Sequence, residues 1–497
     1  MQVTPGKHAN RLSGINFGKL GLWMLFGMLA VVLAIFFGLL AVTASPILVG
    51  MGAGLVIGAF LLMKPDVLIW LILLLGLALG AFVSMLSPQF SKITWAVSIL
   101  GFVLLGLSLF SLFLPGRTRA QPAFIWIGLA FLVSVLTSTL VQWYSAGEVI
   151  AGVKRMFQGY GLMFAFAALA LSTREIGRFK TLLLAIALVQ LPFALYEFIF
   201  LVAERGGLEL GSATTDVVAG TFGANLEGGS PNAVMAIYLL ITLGFLFARW
   251  KEKLLPTQWL VLMALPMLVV FFLGEVKILF VLIPVAFLIL LKRDIPRRPG
   301  FFLLMLLMGV LFIALLGYLY SVFIMRQSLD KIVRETLAYN VQEGGYGGYF
   351  LNRLSVLEFW WQRQGWNDPV PFVFGHGLGS AFSAPSLVPG HIARNWPMYG
   401  IDLTAASSLL WDTGVMGFGL FVLMLLAAWH ACSVLLHETR DSAVRADVTA
   451  IQAAIALFGV FLFYDNNLVS HPSMEIILAT VLGYLAYLYR QQRLGAH

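Results

Sequence analysis

Charged residues are scarce in this sequence: Asp, Glu, Lys and Arg make up 11% of its 497 residues. A soluble domain carries about a quarter, so this scarcity excludes an ordinary soluble protein. Apolar residues make up 60% of the chain, and the mean hydropathy is +0.93. Apolar stretches long enough to span a bilayer recur from end to end, without the alternation typical of barrel strands. The sequence therefore predicts an all-α polytopic membrane protein.

Cysteine and the common cofactor signatures are also nearly absent. The single cysteine, Cys432, lies in an apolar stretch and cannot form an intrachain disulfide. No pair of histidines has metal-ligand spacing with a third ligand, and neither a Walker A sequence nor a Gly-x-Ser-x-Gly elbow is present. The basic residues are scattered among loops rather than clustered in a patch. We therefore expect no metal, no cofactor and no nucleic-acid partner.

The apolar stretches predict about fourteen transmembrane helices. With the N-terminus inside, roughly 20 of the 31 Lys and Arg residues fall on the cytoplasmic side, as the orientation rule for short loops requires. Both termini are then cytoplasmic. The predicted spans are 21–42, 45–63, 66–86, 94–113, 123–142, 157–172, 181–202, 231–248, 258–273, 278–292, 301–324, 408–432, 447–463 and 472–489.

This topology divides the chain into three parts: helices 1–11 over 1–324, one large non-cytoplasmic loop over 325–407, and helices 12–14 with a cytoplasmic tail over 408–497. The loop begins with an amphipathic pattern, and a second helix is predicted at about 350–364. The remainder, from Trp366 to Thr404, should be largely irregular. Because the loop is rich in aromatic residues, we expect it to fold against the membrane domain and roof a cavity.

Two segments on the predicted outer side are candidates for chemistry. In VFGHGLGSAF at 373–382, alternating glycines let backbone N–H groups approach an anion, although a flexible turn is an equal reading. Glu275 and Lys277 lie in a tight turn between two apolar spans, where ionisable residues are functional candidates. Mutual ion pairing for structure is the alternative there.

Four segments, in this order, resemble the bacterial O-antigen ligase and polymerase superfamily, membrane enzymes related to the GT-C glycosyltransferases. They are GTFGANLEGGSPNAVMAIYLL, LGEVKILFVLIPVAFLILLKR, NRLSVLEFWWQRQGWNDPVPFVFGHGLGS and SLLWDTGVMGFGLFVLML, and they lie within about residues 200–430. Lys277 stands where the family commonly has an arginine. The His-Asn pair that many members carry before the closing span is replaced here by Leu403-Thr404.

The resemblance implies a GT-C-like fold in the bacterial inner membrane. It also implies transfer of sugar from a polyprenyl diphosphate-linked glycan to a glycan or lipid acceptor at the periplasmic face. Such a site needs cations for the leaving diphosphate and a base for the acceptor hydroxyl. The residues expected to hold the diphosphate are Lys277, Arg353, Arg326, Arg334 and the backbone of Gly375, Gly377 and Gly379. The expected catalytic residues are His376, His391 and Glu275, with Asp402 as a further candidate base.

Two other classes of function fit the same topology. A flippase for lipid-linked oligosaccharide would share the many spans and cytoplasmic termini, but transporters usually have short outer loops and internal repeats. A non-catalytic subunit of a polysaccharide export system would explain the missing His-Asn pair, with other polysaccharide assembly proteins as partners. Membrane lipids are partners in every case.

Overall fold

The computed structural model of the protein describes residues 58, 61–79, 93–114, 121–207, 212–226, 231–274, 276–297, 299–320, 330, 334, 349–366, 368–383 and 388–494. By its internal contacts the chain divides into two units, 1–67 and 68–497. Of the first unit, the structure describes Gly58 and residues 61–67, which include the start of a helix. The second unit contains the features discussed below.

All regular secondary structure in the described residues is helical. The α-helices discussed here, numbered in chain order, are α1 (Pro65–Leu74), α2 (Ile93–Leu112), α3 (Ala123–Val141), α4 (Ala146–Phe157), α5 (Tyr160–Ala168), α6 (Thr173–Tyr196), α7 (Asn232–Lys251), α8 (Thr257–Gly274), α9 (Leu279–Leu291), α10 (Pro299–Tyr320), α11 (Ser355–Gln364), α12 (Pro369–Phe374), α13 (His391–Asn395), α14 (Ala405–Glu438), α15 (Ser442–Phe461), α16 (Asn467–Ser470) and α17 (Pro472–Leu494).

Eight helical segments in the described residues are long and apolar enough to cross a membrane. They coincide with the predicted spans that begin at 94, 123, 181, 231, 258, 408, 447 and 472. The shorter apolar helices Pro65–Leu79 and Leu279–Leu291 coincide with two more predictions. The predicted spans at 21–42 and 45–63 lie mainly outside the described residues. This is the architecture of a multi-pass helical membrane protein, since each long helix satisfies its own backbone in lipid.

The predicted span at 157–172 takes a different form. The helix α4 begins at Ala146, and α5 ends at Ala168. Between them, Gln158 and Gly159 keep helical backbone angles, while the Glu475 side chain accepts the Gly159 N–H at 3.2 Å. Part of the predicted outer connection between the spans 123–142 and 157–172 is therefore a helix, and one face of this helix is buried.

The long helix α14 begins at the end of the bundle that carries the loop. Thr404 caps its N-terminus, with reciprocal bonds to Ser407. The N–H of Ala405 donates to the Asp465 carbonyl at 3.0 Å, just beyond the C-terminus of α15. We call this the loop-bearing end. Because α15 begins at Ser442, directly after α14 ends at Glu438, the start of α15 marks the opposite end.

The described part of the predicted loop packs directly on α14 and α3. Its α11 confirms the helix predicted at about 350–364, whereas the segment predicted to be irregular contains α12 and α13. An aromatic core joins the loop to the bundle. In it, the Phe359 ring lies 5.2 Å from Trp396 and 6.4 Å from Trp411 of α14. Burial of these large rings stabilises the docked loop.

Candidate functional site

Helix α4 packs against the glycine-rich run at 375–380. Ser145 caps the helix by accepting the Glu148 N–H at 3.3 Å. Glu148, Gly152 and Arg155 lie on its buried face. A Cβ at Gly152 would lie 2.7 Å from the Leu378 carbonyl carbon, so only glycine permits this approach of helix to loop. The packing places Glu148 and Arg155, which lie on the same face of α4 as Gly152, close to the run.

The donors of the glycine-rich run bind an acidic side chain of the protein itself. The Asp412 carboxylate accepts the Gly379 N–H at 3.1 Å, the Ala381 N–H at 2.9 Å and the Ser380 hydroxyl at 2.9 Å. The N–H groups of Gly375 and Gly377 donate to the carbonyls of Pro371 and Asp412. These donors are thus occupied in this conformation, and a diphosphate contact of the three glycines stays a prediction.

Glu148 holds His391 through two contacts. One carboxylate oxygen accepts the His391 backbone N–H, and the other lies 3.0 Å from Nδ1 of the ring. The ring stacks on Tyr144 at 4.3 Å with an interplanar angle of 11°, and its side chain is 19% exposed. A carboxylate that fixes Nδ1–H leaves Nε2 as a proton acceptor.

His376 lies beside His391, with 6.3 Å between the ring centroids. Its Nε2 is 2.6 Å from the Gln364 side-chain oxygen, which makes Nε2–H the donor. Burial, and secondarily the neighbouring His391, lower the pKa of His376 to about 4. His376 is therefore neutral at pH 7, and its Nε2 is already bonded to Gln364. Of the two predicted histidines, His391 is the one whose Nδ1 is held by a carboxylate, which is the geometry of a general base.

Arg155 is a buried cation next to the end of the glycine-rich run. Its guanidinium carbon lies 3.7 Å from the Phe382 ring centroid. Burial lowers its pKa, while the nearby carboxylates of Asp402, Asp412 and Glu475 oppose that shift. Among the described residues, its Nε has no hydrogen-bond partner. A guanidinium stays protonated in proteins, so Arg155 adds a fixed positive charge close to the run.

The structure describes three of the four predicted cations, Arg353, Lys277 and Arg334. Arg353 donates from Nε to the Tyr464 carbonyl, and its guanidinium carbon lies 4.1 Å from the Tyr464 ring centroid. Lys277 is exposed in the turn before α9. Arg334 pairs with Asp330, as their four-residue spacing suggests. Arg326 and Glu275 lie outside the described residues.

Glu148 and Arg155 were not singled out from the sequence, although a signal for them exists. Their seven-residue spacing places both on one helix face, with the small residues Ala151 and Gly152 between them. The predicted spans leave this segment as a connection, and a connection offers no helical face on which to place the two residues.

No family model matches the chain, and no curated protein is significantly similar to it. The site's chemistry is that of a carboxylate-oriented imidazole beside buried and surface cations.

Proposed function

We propose that the protein is a membrane glycosyltransferase that polymerises, or ligates, polyprenyl diphosphate-linked oligosaccharide units in surface polysaccharide biosynthesis. The observation that carries this proposal is the Glu148–His391 pair at the loop-bearing end of an apolar helical bundle. In the proposal that end is periplasmic, the termini are cytoplasmic, and about fourteen helices span the bacterial inner membrane.

In the proposed reaction, Nε2 of His391 takes the proton of an acceptor hydroxyl. The freed oxygen attacks the anomeric carbon of the donor sugar, and the bond from that carbon to the diphosphate oxygen breaks. The diphosphate leaves with the electron pair. Glu148 orients the imidazole and stabilises the imidazolium that forms. General-base assistance of this kind contributes about 10²- to 10⁴-fold to the rate.

The leaving diphosphate needs positive charge near the base. Arg394 is exposed, and its guanidinium carbon lies 5.7 Å from the ring centroid of Tyr144, which stacks on His391. An arginine fork suits phosphate oxygens. In the proposal, the buried Arg155 adds positive charge close to the glycine-rich run. In the proposal, the predicted cations Arg353 and Lys277 contact other parts of the lipid-linked donor.

An exposed tryptophan is available for the glycan. Trp360 is buried in a stacked pair with Phe372, and Trp396 is half-buried against Phe359. Trp366, by contrast, is 72% exposed and follows Gln364, the partner of His376. Of these three loop tryptophans, Trp366 has the most exposed side chain, and in the proposal it stacks on a sugar of the glycan.

The test is a polysaccharide blot of cells that produce the full-length protein or its variants. We expect His391→Ala to abolish long-chain polymer and Glu148→Gln to reduce it strongly, since Gln cannot stabilise an imidazolium. His437→Ala, an exposed histidine at the opposite end of α14, is the matched control. Normal polymer from His391→Ala at a normal protein level would overturn the proposal.

The same cells distinguish a transferase from a flippase. Loss of chain elongation or ligation leaves lipid-linked units at the outer face of the membrane, where a periplasmic glycosidase can reach them. Loss of a flippase leaves those units at the inner face, protected from the enzyme. Protected units in His391→Ala cells would favour the flippase.

A further inference from the structure

A cavity of about 480 Å³ lies between α6, α7 and α17. This volume falls within the range of about 300–1,000 Å³ for ligand pockets. Its wall is mostly apolar and includes Phe179, Leu183, Ile241 and Phe245. Such a space, at the depth of membrane-spanning helices, suits a hydrocarbon chain.

A polar cluster lies at one side of the cavity. Arg249 donates to both oxygens of Asp447, from Nε at 2.8 Å and from Nη2 at 3.0 Å. Lys180 donates to the same carboxylate at 3.1 Å and to the Tyr484 hydroxyl at 3.0 Å. Asp447 lies in the second turn of α15, so the cluster belongs to the end opposite the loop. It is therefore separate from the Glu148–His391 site.

The charges of this cluster do not cancel. Two cations, Lys180 and Arg249, face one carboxylate, which leaves one excess positive charge. Both cations line the cavity, and their side chains are 36% and 35% exposed. An ammonium has three N–H donors and a guanidinium five, of which the contacts above use two each. Donors and charge thus remain available to an anionic group at the cavity.

We propose that the cavity binds an anionic phospholipid of the bilayer, with an acyl chain inside and its phosphodiester against Lys180 and Arg249. The charge decides the class of lipid. A phosphodiester carries one negative charge and matches the single excess positive charge of the cluster. A polyprenyl diphosphate carries more negative charge than this cluster neutralises, and a zwitterionic lipid has no net charge to complement it. The proposal does not depend on the proposed transferase activity.

Native mass spectrometry of the full-length protein in detergent, titrated with phosphatidylglycerol or phosphatidylcholine, tests this site. Gly177 lines the cavity, and a Cβ there meets open space, so Gly177→Trp fills the cavity. Gly244 of α7 is also open to a side chain but is not part of the cavity lining, so Gly244→Trp is the matched control. Lys180→Gln removes the excess charge and leaves the cavity open.

We expect the wild type and Gly244→Trp to bind one phosphatidylglycerol more tightly than phosphatidylcholine. Gly177→Trp should bind it at least about tenfold more weakly, and Lys180→Gln should lose the preference for the anionic lipid. Equal phosphatidylglycerol binding by Gly177→Trp and the wild type would overturn the proposal. So would tighter binding of a polyprenyl phosphate, or no preference in the wild type. If Gly177→Trp fails to fold, an unchanged preference in Lys180→Gln overturns it.

Discussion

The Ser380 hydroxyl donates a hydrogen bond of 2.9 Å to the carboxylate of Asp412. The contact ties the glycine-rich run of the loop to α14, two residues before Gly414 interrupts that helix with φ 65° and ψ −169°. A Cβ at Gly414 would lie 2.4 Å from the Val373 carbonyl oxygen, so the interruption lets loop and helix approach. The loop and the membrane helix therefore fix each other's conformation at this point.

We expect Asp412→Asn to loosen the loop. Its carboxylate accepts three hydrogen bonds, whereas an asparagine has one acceptor oxygen and an amino group that faces donors. The expected loss in the free energy of unfolding is on the order of 3 kcal/mol, since hydrogen bonds to charged groups contribute about 1.5–3 kcal/mol each.

Thiol labelling measures this effect. Cys432 is the chain's single cysteine and is fully buried, so a maleimide reacts with it only after the surrounding helices unfold. Asp412→Asn should be labelled at a lower temperature than the wild type. Asp441→Asn, at the exposed N-cap of α15, is the control and should stay near the wild type. Equal labelling profiles for both variants would contradict the prediction.

We expect Gly152→Ala to separate α4 from the loop. The added Cβ would lie 2.8 Å from the Gly379 nitrogen, and a backbone atom cannot yield as a flexible side chain does. Overpacking of this kind costs about 1–3 kcal/mol. Gly147→Ala in the same helix meets its nearest atom at an ordinary 3.7 Å and should be neutral or slightly stabilising. Thermal unfolding compares the pair, and equal midpoints would contradict the packing argument.

The pH dependence of stability should include a contribution from His376 and His471. Burial lowers the pKa of each to about 4, below the ordinary value of 6.5. Between these values the unfolded chain binds more protons than the folded chain, so stability falls as the pH drops from about 6.5 to about 4. Above pH 6.5 both histidines are neutral in both states, and this contribution to stability is fully present.

Thermal unfolding from pH 7.5 to 4.5 measures this contribution. His376→Gln and His471→Gln should each lose less stability on acidification than the wild type, by up to about 3 kcal/mol. Asp465, whose pKa burial raises, changes the pH dependence of stability in the opposite direction. Such groups contribute equally to all three proteins, so the difference from the wild type isolates each histidine. Identical pH profiles in the three proteins would contradict the assignment.

The features that were predictable from the sequence are local ones. A run such as Ala123–Val141 has enough apolar residues in sequence to span a bilayer, whatever its neighbours are. The helix Ser355–Gln364 was also predictable, because its apolar residues recur at helical spacing. Lengths and periods of this kind require no knowledge of tertiary contacts.

The partners of the functional groups depend on contacts between distant residues. The Gly-x-Gly-x-Gly-Ser run did predict backbone donors for an anion, but its partner Asp412 is 31 to 33 residues away. Glu148 and His391 are separated by 243 positions. A single sequence does not pair such residues, so the carboxylate that orients the histidine became visible only in the folded chain.

The Glu148–His391 contact should be measurable as a coupling energy. Glu148→Gln and His391→Ala each remove the contact between the carboxylate and Nδ1, so their effects on the free energy of unfolding should not add. We expect a coupling on the order of 1 kcal/mol from a double-mutant cycle, whereas distant residues add within about 0.5 kcal/mol. The cycle of Glu148→Gln with His437→Ala is the control and should be additive. Additivity in the first cycle would show that Glu148 does not hold the imidazole, and the proposed general base would then lack its orienting partner.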